Sequence, residues 1–396
     1  MRLLVAILLC IVGLAGSMPQ IRATTTRLPH DAYIWQRAWT PAVLSSARRS
    51  ADIVRAWRIL LAEADPGGRW ATVAVPWAEV EATQRPVVGV IRIDGRLDES
   101  GMEAQLDQVM ARVDPVVTRL AGLEIVYDCP TSRLATYARF LAALRARLAP
   151  RLTLSITALP TWMGSAQLER LTRDLDEVVL QVHAVDDPRR GLFDASQAER
   201  WVRAFGQRIR KPFRVALPAY DVHVTWRPDG RLASVAAEMP LLTGPVDGEL
   251  LAASPDAVLQ FLQAMRRAAP ERLVGIAWFR LPTDSDARAW SLPTWRAVVD
   301  GTLPPARVNA SLVPAERAGL WTVTLSNDGA VDASLPRQVR LDPSCEMADG
   351  ANGFRLVAAG RPLVLEATGR DRLRANRKRV IGWARCSEAG RVDVVQ

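Results

Sequence analysis

The chain is 396 residues long, with 49% hydrophobic and 23% charged residues, a composition typical of a globular protein and not of a disordered chain. Its formal net charge is +9, but the basic residues, nearly all arginines, are spread along the chain and form no single patch or stripe. This distribution argues against a nucleic-acid-binding protein, whose basic residues gather on one surface.

Residues 1–23 have the pattern of a secretory signal peptide. Met1 and Arg2 precede an apolar run from Leu3 to Leu14, and small residues follow it. The run is too short for a comfortable membrane span. We therefore predict a periplasmic or secreted protein that keeps no membrane span after cleavage, with an uncleaved N-terminal anchor as the alternative.

Between residues 30 and 302, short apolar or β-branched runs alternate with amphipathic stretches. Eight runs predict strands: Ala32–Gln36, Ala71–Val75, Val87–Ile93, Leu123–Tyr127, Leu152–Thr157, Glu177–Val182, Phe213–Leu217 and Leu273–Phe279. Helices are predicted between most of them: Ser46–Ala64, Glu99–Arg119, Ser132–Leu148, Ser196–Arg208 and Pro255–Ala268. This alternation is typical of an α/β protein with a (β/α)8 or TIM barrel, which usually takes about 250 residues. A doubly wound sheet is the competing fold, but no strand is followed by a glycine-rich phosphate-binding motif.

Two regions depart from this rhythm. At about residues 220–250, the strand-like segments Val222–Trp226 and Arg231–Ala233 flank Pro228-Asp229-Gly230, which predicts a β-hairpin inserted into a βα-loop. Residues 304–396 contain short strand-like segments and no helical pattern, so we predict a small, all-β, sandwich-like C-terminal domain. A basic run from Arg370 to Arg379 is interpreted as a solvated hairpin whose charges protect a sheet edge, and a polyanion site is the alternative.

The predicted export determines the expected state of the cysteines. Once Cys10 is removed with the signal peptide, Cys345 and Cys386 share the C-terminal domain and are the natural disulfide pair in an oxidising compartment. Cys129 is left as a lone thiol, expected to be buried and unreactive. The sequence holds no H-E-x-x-H, no C-x-x-C and no G-x-S-x-G, so we predict neither a metal, nor a cofactor, nor a serine nucleophile.

The candidate site follows from the predicted barrel, because chemistry in that fold lies at the C-terminal ends of the strands. Side chains two residues apart on a strand share a face, which pairs Arg92 with Asp94, Gln181 with His183, and Trp278 with Arg280. The candidate catalytic residues are Asp128, Asp94, Asp221 and His183. The candidate substrate-binding residues are Trp35, Arg92, Trp162, Gln181, Tyr220, Trp278 and Arg280.

Carboxylates, arginines, an imidazole and several indoles at one rim suit a polyhydroxylated ligand such as a glycan. The chain has 13 Trp against 7 Phe, and many of these indoles fall at or just beyond strand ends. Structural roles compete with this interpretation: Asp94 could cap the turn at Gly95, and a strand-end Trp often packs at the rim. Glu124, near the start of its strand, is expected to form a buried ion pair, with Arg92 as the suggested partner.

Five segments carry a resemblance to a known family: Y-D-C-P-T (127–131), L-S-I-T-A-L-P-T-W (154–162), V-V-L-Q-V-H (178–183), F-R-V-A-L-P-A-Y (213–220) and W-F-R-L-P-T (278–283). Together they resemble a family of exported bacterial proteins with a domain of unknown function, over roughly residues 30–300. More distantly, the architecture is similar to glycoside hydrolase barrels of the family-18 chitinase type, whose fourth strand carries D-x-D-x-E. The positions that match this motif hold Glu124, Val126 and Asp128, so Asp128 stands where the acid would be and Val126 replaces the assisting aspartate.

The leading hypothesis is an exported, carbohydrate-active barrel with glycoside-hydrolase-like activity on an envelope or extracellular glycan. In that mechanism Asp128 is the general acid, Asp94 or Asp221 is the second carboxylate, and His183 and Tyr220 orient the substrate. The alternative is a catalytically inert, exported glycan-binding or scaffold protein on the same fold. The sequence does not indicate an oligomeric state.

Overall fold

The computed structural model describes residues 28–183, 191–227, 229, 232–236, 249–357, 361–369, 371–388 and 390–395. The predicted signal peptide, residues 1–23, lies outside the described residues. Among the helices that are described, none is long and apolar enough to cross a bilayer.

Eight parallel strands form a closed barrel, as the sequence predicts. They are β1 (His30–Ile34), β2 (Ala56–Ala64), β3 (Val87–Ile93), β4 (Gly122–Val126), β5 (Thr153–Ala158), β6 (Glu177–Gln181), β7 (Phe213–Pro218) and β8 (Leu273–Phe279). Each strand pairs with the next, and β8 closes the ring by pairing with β1, where Ile276 lies opposite His30. The C-terminal ends of all eight strands therefore meet at one rim.

Helices follow the strands and cover the outside of the barrel. They are α1 (Pro41–Ser50), α2 (Trp77–Glu81), α3 (Met102–Val113), α4 (Leu134–Arg147), α5 (Leu168–Thr172), α6 (Ala195–Arg208), α7 (Pro255–Arg267) and α8 (Leu292–Asp300). Four of them begin at a residue whose side chain accepts a backbone N–H of the first turn: Thr40, Asp194, Ser254 and Ser291. Helix α8 ends at Gly301, whose φ of 87° favours glycine.

The second strand is a correction to the sequence prediction. Residues 56–64 belong to β2, whereas the sequence pattern assigns them to a helix over Ser46–Ala64. The segment Ala71–Val75, predicted as the second barrel strand, contributes instead to a short strand, Trp70–Thr72, which pairs antiparallel with the end of β2. The nine residues of β2 are almost all buried, so they show no alternation, and they are rich in the helix formers Ala and Leu.

A buried ion-pair network lies inside the barrel, near the N-terminal ends of the strands. Arg58 on β2 contacts the carboxylates of Asp31, Glu124 and Glu177, and its side chain is 1% exposed. Arg214 binds Asp31 and Glu177 as well, at 3.2 and 3.0 Å. The expected buried ion pair of Glu124 is therefore present, but its partner is Arg58 and not Arg92.

An inserted sheet and the C-terminal region complete the chain. After β7, Val222–Trp226 pairs antiparallel with Leu232–Ala236 and with Glu249–Leu251. Beyond the barrel, two four-stranded antiparallel sheets enclose a separate apolar core, in line with the predicted sandwich-like fold. Their strands are Val308–Pro314, Leu320–Asn327, Gln338–Arg340, Cys345–Gly350, Phe354–Val357, Val364–Ala367, Arg377–Cys386 and Asp393–Val395, and Ala333–Ser334 pairs separately with Arg372–Leu373.

The disulfide predicted for this region is confirmed: Cys345 and Cys386 are bonded and lie opposite each other on neighbouring strands. The prediction of a fully solvated basic run is wrong in part. Arg377 and Lys378 are exposed, and Arg370 lies outside the described residues, but Arg372 and Arg374 contact the barrel.

Candidate functional site

A cavity of about 440 Å³ opens at the C-terminal rim of the barrel, within the range of roughly 300–1,000 Å³ that small-molecule sites occupy. Seven residues that the sequence places in the candidate site line it: Trp35, Arg92, Asp128, Gln181, His183, Tyr220 and Arg280. Six further lining residues were missed: Tyr33, Arg37, Val126, Thr157, Ala216 and Phe279. Several of these project inward at strand positions that a period of two could have identified.

Asp128 is the one carboxylate among the described residues that line this cavity. It follows β4 directly, its side chain is open to the cavity, and it makes no hydrogen bond or ion pair with the described residues. The barrel wall displaces bulk water around it, and this desolvation raises the pKa of the carboxyl; Arg92 opposes the rise and Asp94 adds to it. Since no described residue binds the carboxylate of Asp128, it is available to a ligand.

Two hydroxyls form the floor of the cavity above the buried network. Tyr33 donates to Glu124 at 2.5 Å, and Thr157 donates to the same carboxylate oxygen at 2.8 Å. Because each hydroxyl donates its proton to Glu124, its oxygen can only accept a hydrogen bond from a ligand. Glu124, held by Arg58, therefore orients the floor without reaching the ligand itself.

Aromatic rings form the wall on the side of β6 to β8. Phe279 lies at the centre of this group: it stacks on His183 with ring centroids 5.8 Å apart and meets Trp35 edge-on at 4.9 Å. Tyr220 packs against both Phe279 and His183. Such a wall offers an apolar face on which a sugar ring can lie.

Arginines occupy the remaining rim, each held by an acidic partner. Arg37 makes a bidentate contact with Glu63, at 2.5 and 2.7 Å. Arg92 donates to Asp94 at 3.0 Å. Arg280, which is 4% exposed, donates to Asp286 at 3.1 and 2.5 Å and lies 5.6 Å from the ring centre of Tyr220.

Four predicted site residues do not line the cavity. Asp94 lies at the rim, paired with Arg92, and Asp221 is buried in an ion pair with Arg372. Trp162 and Trp278 are both fully buried: the indole N–H of Trp162 donates to the carbonyl of Cys129, and that of Trp278 donates to His30.

Strand alternation explains the misplaced tryptophan of β8. Trp278 points outward and packs against Trp290 and Trp295, so the inward-facing neighbour is Phe279. Arg280 follows the strand and lines the cavity as well, so Trp278 and Arg280 do not share a face.

His183 is a buried neutral imidazole at neutral pH. Burial lowers its pKa to about 4, and its Nδ1 lies 3.4 Å from the carbonyl of Ala216. The unfolded chain, with a pKa near 6.5, binds a proton more readily than the folded chain between these two values. Stability therefore falls as the pH drops from about 6.5 toward 4.

We expect the protonation of His183 in the unfolded chain to lower the free energy of unfolding by about 2 kcal/mol when the pH drops from 7 to 5. The measurement is urea unfolding at both pH values for the wild type and His183→Phe, which keeps the ring contact and cannot titrate. The variant should lose about 2 kcal/mol less than the wild type over this interval. Equal losses in both proteins would contradict the assignment.

Among the described residues, no group of three His, Cys, Asp or Glu side chains is arranged to hold a metal ion.

The closed barrel and its rim cavity define the class of this protein: it is a TIM barrel with a ligand-sized cavity at the C-terminal ends of its strands. Residues 83–284, just over half of the chain, match the family described as Domain of unknown function (DUF3142), and the chain belongs to that family. The resemblance drawn from the sequence motifs is thereby confirmed. Residues 310–387 match a second domain of unknown function, DUF8456. No curated protein matches the chain by sequence.

Solved structures with a similar barrel include two spore cortex-lytic enzymes and a chitinase. SleL of Bacillus cereus is 12% identical with a TM-score of 0.50, and SleL of Bacillus megaterium is 11% identical with a TM-score of 0.51; each match covers 70% of this chain and 74% of the other. A chitinase from Chromobacterium violaceum is 14% identical with a TM-score of 0.49, covering 69% of this chain and 98% of the other. At these identities the likeness shows the fold alone.

Proposed function

We propose that this chain is an exported protein whose barrel mouth binds an envelope or extracellular glycan. The observation that carries the proposal is Asp128, a carboxylate that lines a cavity with an aromatic wall and has no hydrogen-bond or ion-pair partner among the described residues. Sugar hydroxyls can donate to Asp128 and to the floor oxygens, while the apolar face of a ring packs on Phe279. The disulfide supports export, because such bonds persist in oxidising compartments.

The names of the structural neighbours point in the same direction. The two SleL proteins, with TM-scores of 0.50 and 0.51, are spore cortex-lytic enzymes, so each is named for action on the spore cortex. Their identity to this chain is low, and for this reason the proposal rests on the cavity and takes only its ligand class from that comparison.

Hydrolysis is a second candidate, and two observations at Asp128 favour it. The pKa of Asp128 is raised, as a general acid requires, and Asp128 stands at the strand-end position of the family-18 acid. Among the described residues that line the cavity, however, it is the only carboxylate, whereas glycosidases use two carboxyls about 5–5.5 or 6.5–9.5 Å apart. Val126 also occupies the position of the assisting aspartate. Binding without hydrolysis is therefore the primary proposal.

The test is a glycan array with wild type, Asp128→Asn and Asp107→Asn, followed by mass spectrometry of the incubated glycans. Loss of a hydrogen bond to a charged group costs about 1.5–3 kcal/mol, so Asp128→Asn should weaken binding about 10- to 100-fold. Asp107→Asn is the matched control, because that exposed carboxylate lies on α3, outside the barrel, where it pairs with Arg147; the affinity of this variant should stay within about threefold.

Three results separate the possibilities. Wild-type binding that Asp128→Asn weakens, with no product, supports the proposal. Product formed by the wild type and lost in Asp128→Asn establishes the hydrolase instead, with an activity that declines as the pH rises and the acid ionises. No binding by the wild type, or equal binding by all three proteins, contradicts both.

A further inference from the structure

Two arginines of the basic run join the C-terminal region to the rim of the cavity. Arg372 and Arg374 flank Leu373, which is 3% exposed in the core of the C-terminal sheets. Side chains alternate along a strand, so the two arginines leave it on the side opposite to that core. On that side lie the loops that follow β7 and β8, and each arginine contacts one of them.

Arg372 binds the loop that follows β7. Its guanidinium donates to the carboxylate of Asp221, and the two side chains are 11% and 4% exposed. Asp221 also accepts the backbone N–H of Ala253 at 3.1 Å, and its own N–H donates to the carbonyl of Arg288 at 2.9 Å. Because Asp221 directly follows Tyr220, these bonds fix the backbone beside a residue of the cavity wall.

Arg374 binds the loop that follows β8. Its guanidinium donates to four backbone carbonyls of this loop: Thr283 at 3.4 Å, Asp284 at 3.2 Å, Asp286, and Ala289 at 2.8 Å. The carboxylate of Asp286 in turn holds Arg280 in the cavity wall. The carbonyls of Thr283 and Asp286 also accept backbone N–H groups from within the loop, at 3.3 and 3.2 Å. One side chain thus ties these turns to the carbonyls of Asp284 and Ala289, which holds the loop in one conformation.

The two loops also contact each other at the cavity. Tyr220 forms a β-bridge with Ala289, and the N–H of Trp290 donates to the carbonyl of Ala219 at 2.9 Å. The guanidinium of Arg280 lies over the ring of Tyr220. A displacement of either loop would therefore move both cavity residues.

We propose that Arg372 and Arg374 are positioning residues that set the places of Tyr220 and Arg280 in the cavity wall. The C-terminal region is then part of the binding machinery and more than a neighbouring domain. The expected loss of affinity rests on the proposed glycan function, whereas the placement of Tyr220 can be measured without any ligand.

The test uses ¹⁹F NMR of the full chain labelled with 3-fluorotyrosine. The chain has four tyrosines, so it gives four signals, and Tyr220→Phe assigns the relevant one. Arg374→Met should shift or broaden the Tyr220 signal and leave those of Tyr127 and Tyr137 unchanged, and it should weaken glycan binding about tenfold. Arg372→Met should act on the same signal, and Arg374→Lys, which keeps the charge but has fewer donors, should give an intermediate shift.

The matched control is Arg355→Met, which removes an arginine of the C-terminal region whose partner among the described residues is Glu366 on a neighbouring strand. It should change neither the Tyr220 signal nor the affinity. An unmoved Tyr220 signal in Arg372→Met and Arg374→Lys overturns the inference, even if Arg374→Met fails to fold. A moved signal in a chain whose wild type binds no glycan supports the inference and overturns the proposed function instead.

Discussion

Replacing Arg58 by methionine is expected to lower the free energy of unfolding by about 3–5 kcal/mol, the usual cost of removing one partner from a buried ion pair. Arg58 is the cation that contacts Glu124 within the described residues, and both side chains are almost completely buried. Asp31 and Glu177 keep Arg214, but Glu124 keeps only the hydroxyls of Tyr33 and Thr157. The uncompensated charge of Glu124 is the source of the expected loss.

A double variant and a surface control separate charge from packing. Arg58→Met with Glu124→Gln should be more stable than Arg58→Met alone, because the second change removes the buried charge. Arg147→Met, which breaks a surface contact with Glu103 and Asp107, should cost less than about 1 kcal/mol. Urea unfolding followed by circular dichroism measures all three. A loss below 1 kcal/mol for Arg58→Met would show that the network does not support the barrel.

Loss of the disulfide is expected to destabilise the C-terminal region by about 2–4 kcal/mol. The bond joins residues 41 positions apart in sequence, and it restricts the unfolded chain over that length. Cys345 and Cys386 are both buried, so the double variant to alanine removes little volume beyond the two sulfurs. The barrel should be affected less, because the bond lies wholly outside it.

Thermal unfolding with and without a reducing agent measures this effect. The wild type should unfold at a lower temperature once reduced, and Cys345→Ala/Cys386→Ala should be insensitive to the reductant. Cys129→Ala is the control for a buried cysteine that forms no bond, and it should respond to the reductant as the wild type does. If reduction, verified by mass spectrometry, leaves the wild-type transition unchanged, the disulfide does not contribute to stability.

The barrel could be predicted because its strand and helix patterns recur along the chain, and the failures have physical causes. The strand β2 was hidden because both of its faces are buried, so period-two alternation is absent and Ala and Leu suggest a helix. The boundary between helix and strand near residue 55 therefore depends on tertiary packing, which cannot be inferred from the pattern of a single sequence. The same burial produced the wrong partner for Glu124, since Arg58 lay within the misassigned segment.

The candidate site was predictable to the extent that strand ends are predictable. Asp128, His183 and Gln181 line the cavity because their strands end where the sequence indicates. Asp221 could not be assigned correctly, because its partner Arg372 is 151 residues away and belongs to a different part of the fold. Ion pairs over such distances in sequence leave no local pattern.

The parallel arrangement of the barrel strands also has a practical consequence for how the protein is handled. The chain enters β1 at His30, at the opposite end of the barrel from the cavity, because every strand ends at the rim where the cavity opens. A tag or linker joined at residue 28 would therefore start at the end of the barrel opposite to the ligand-binding end. Immobilisation at this end of the barrel should leave the mouth accessible, so sensor-chip measurements can use oligosaccharides in solution without blocking their entry.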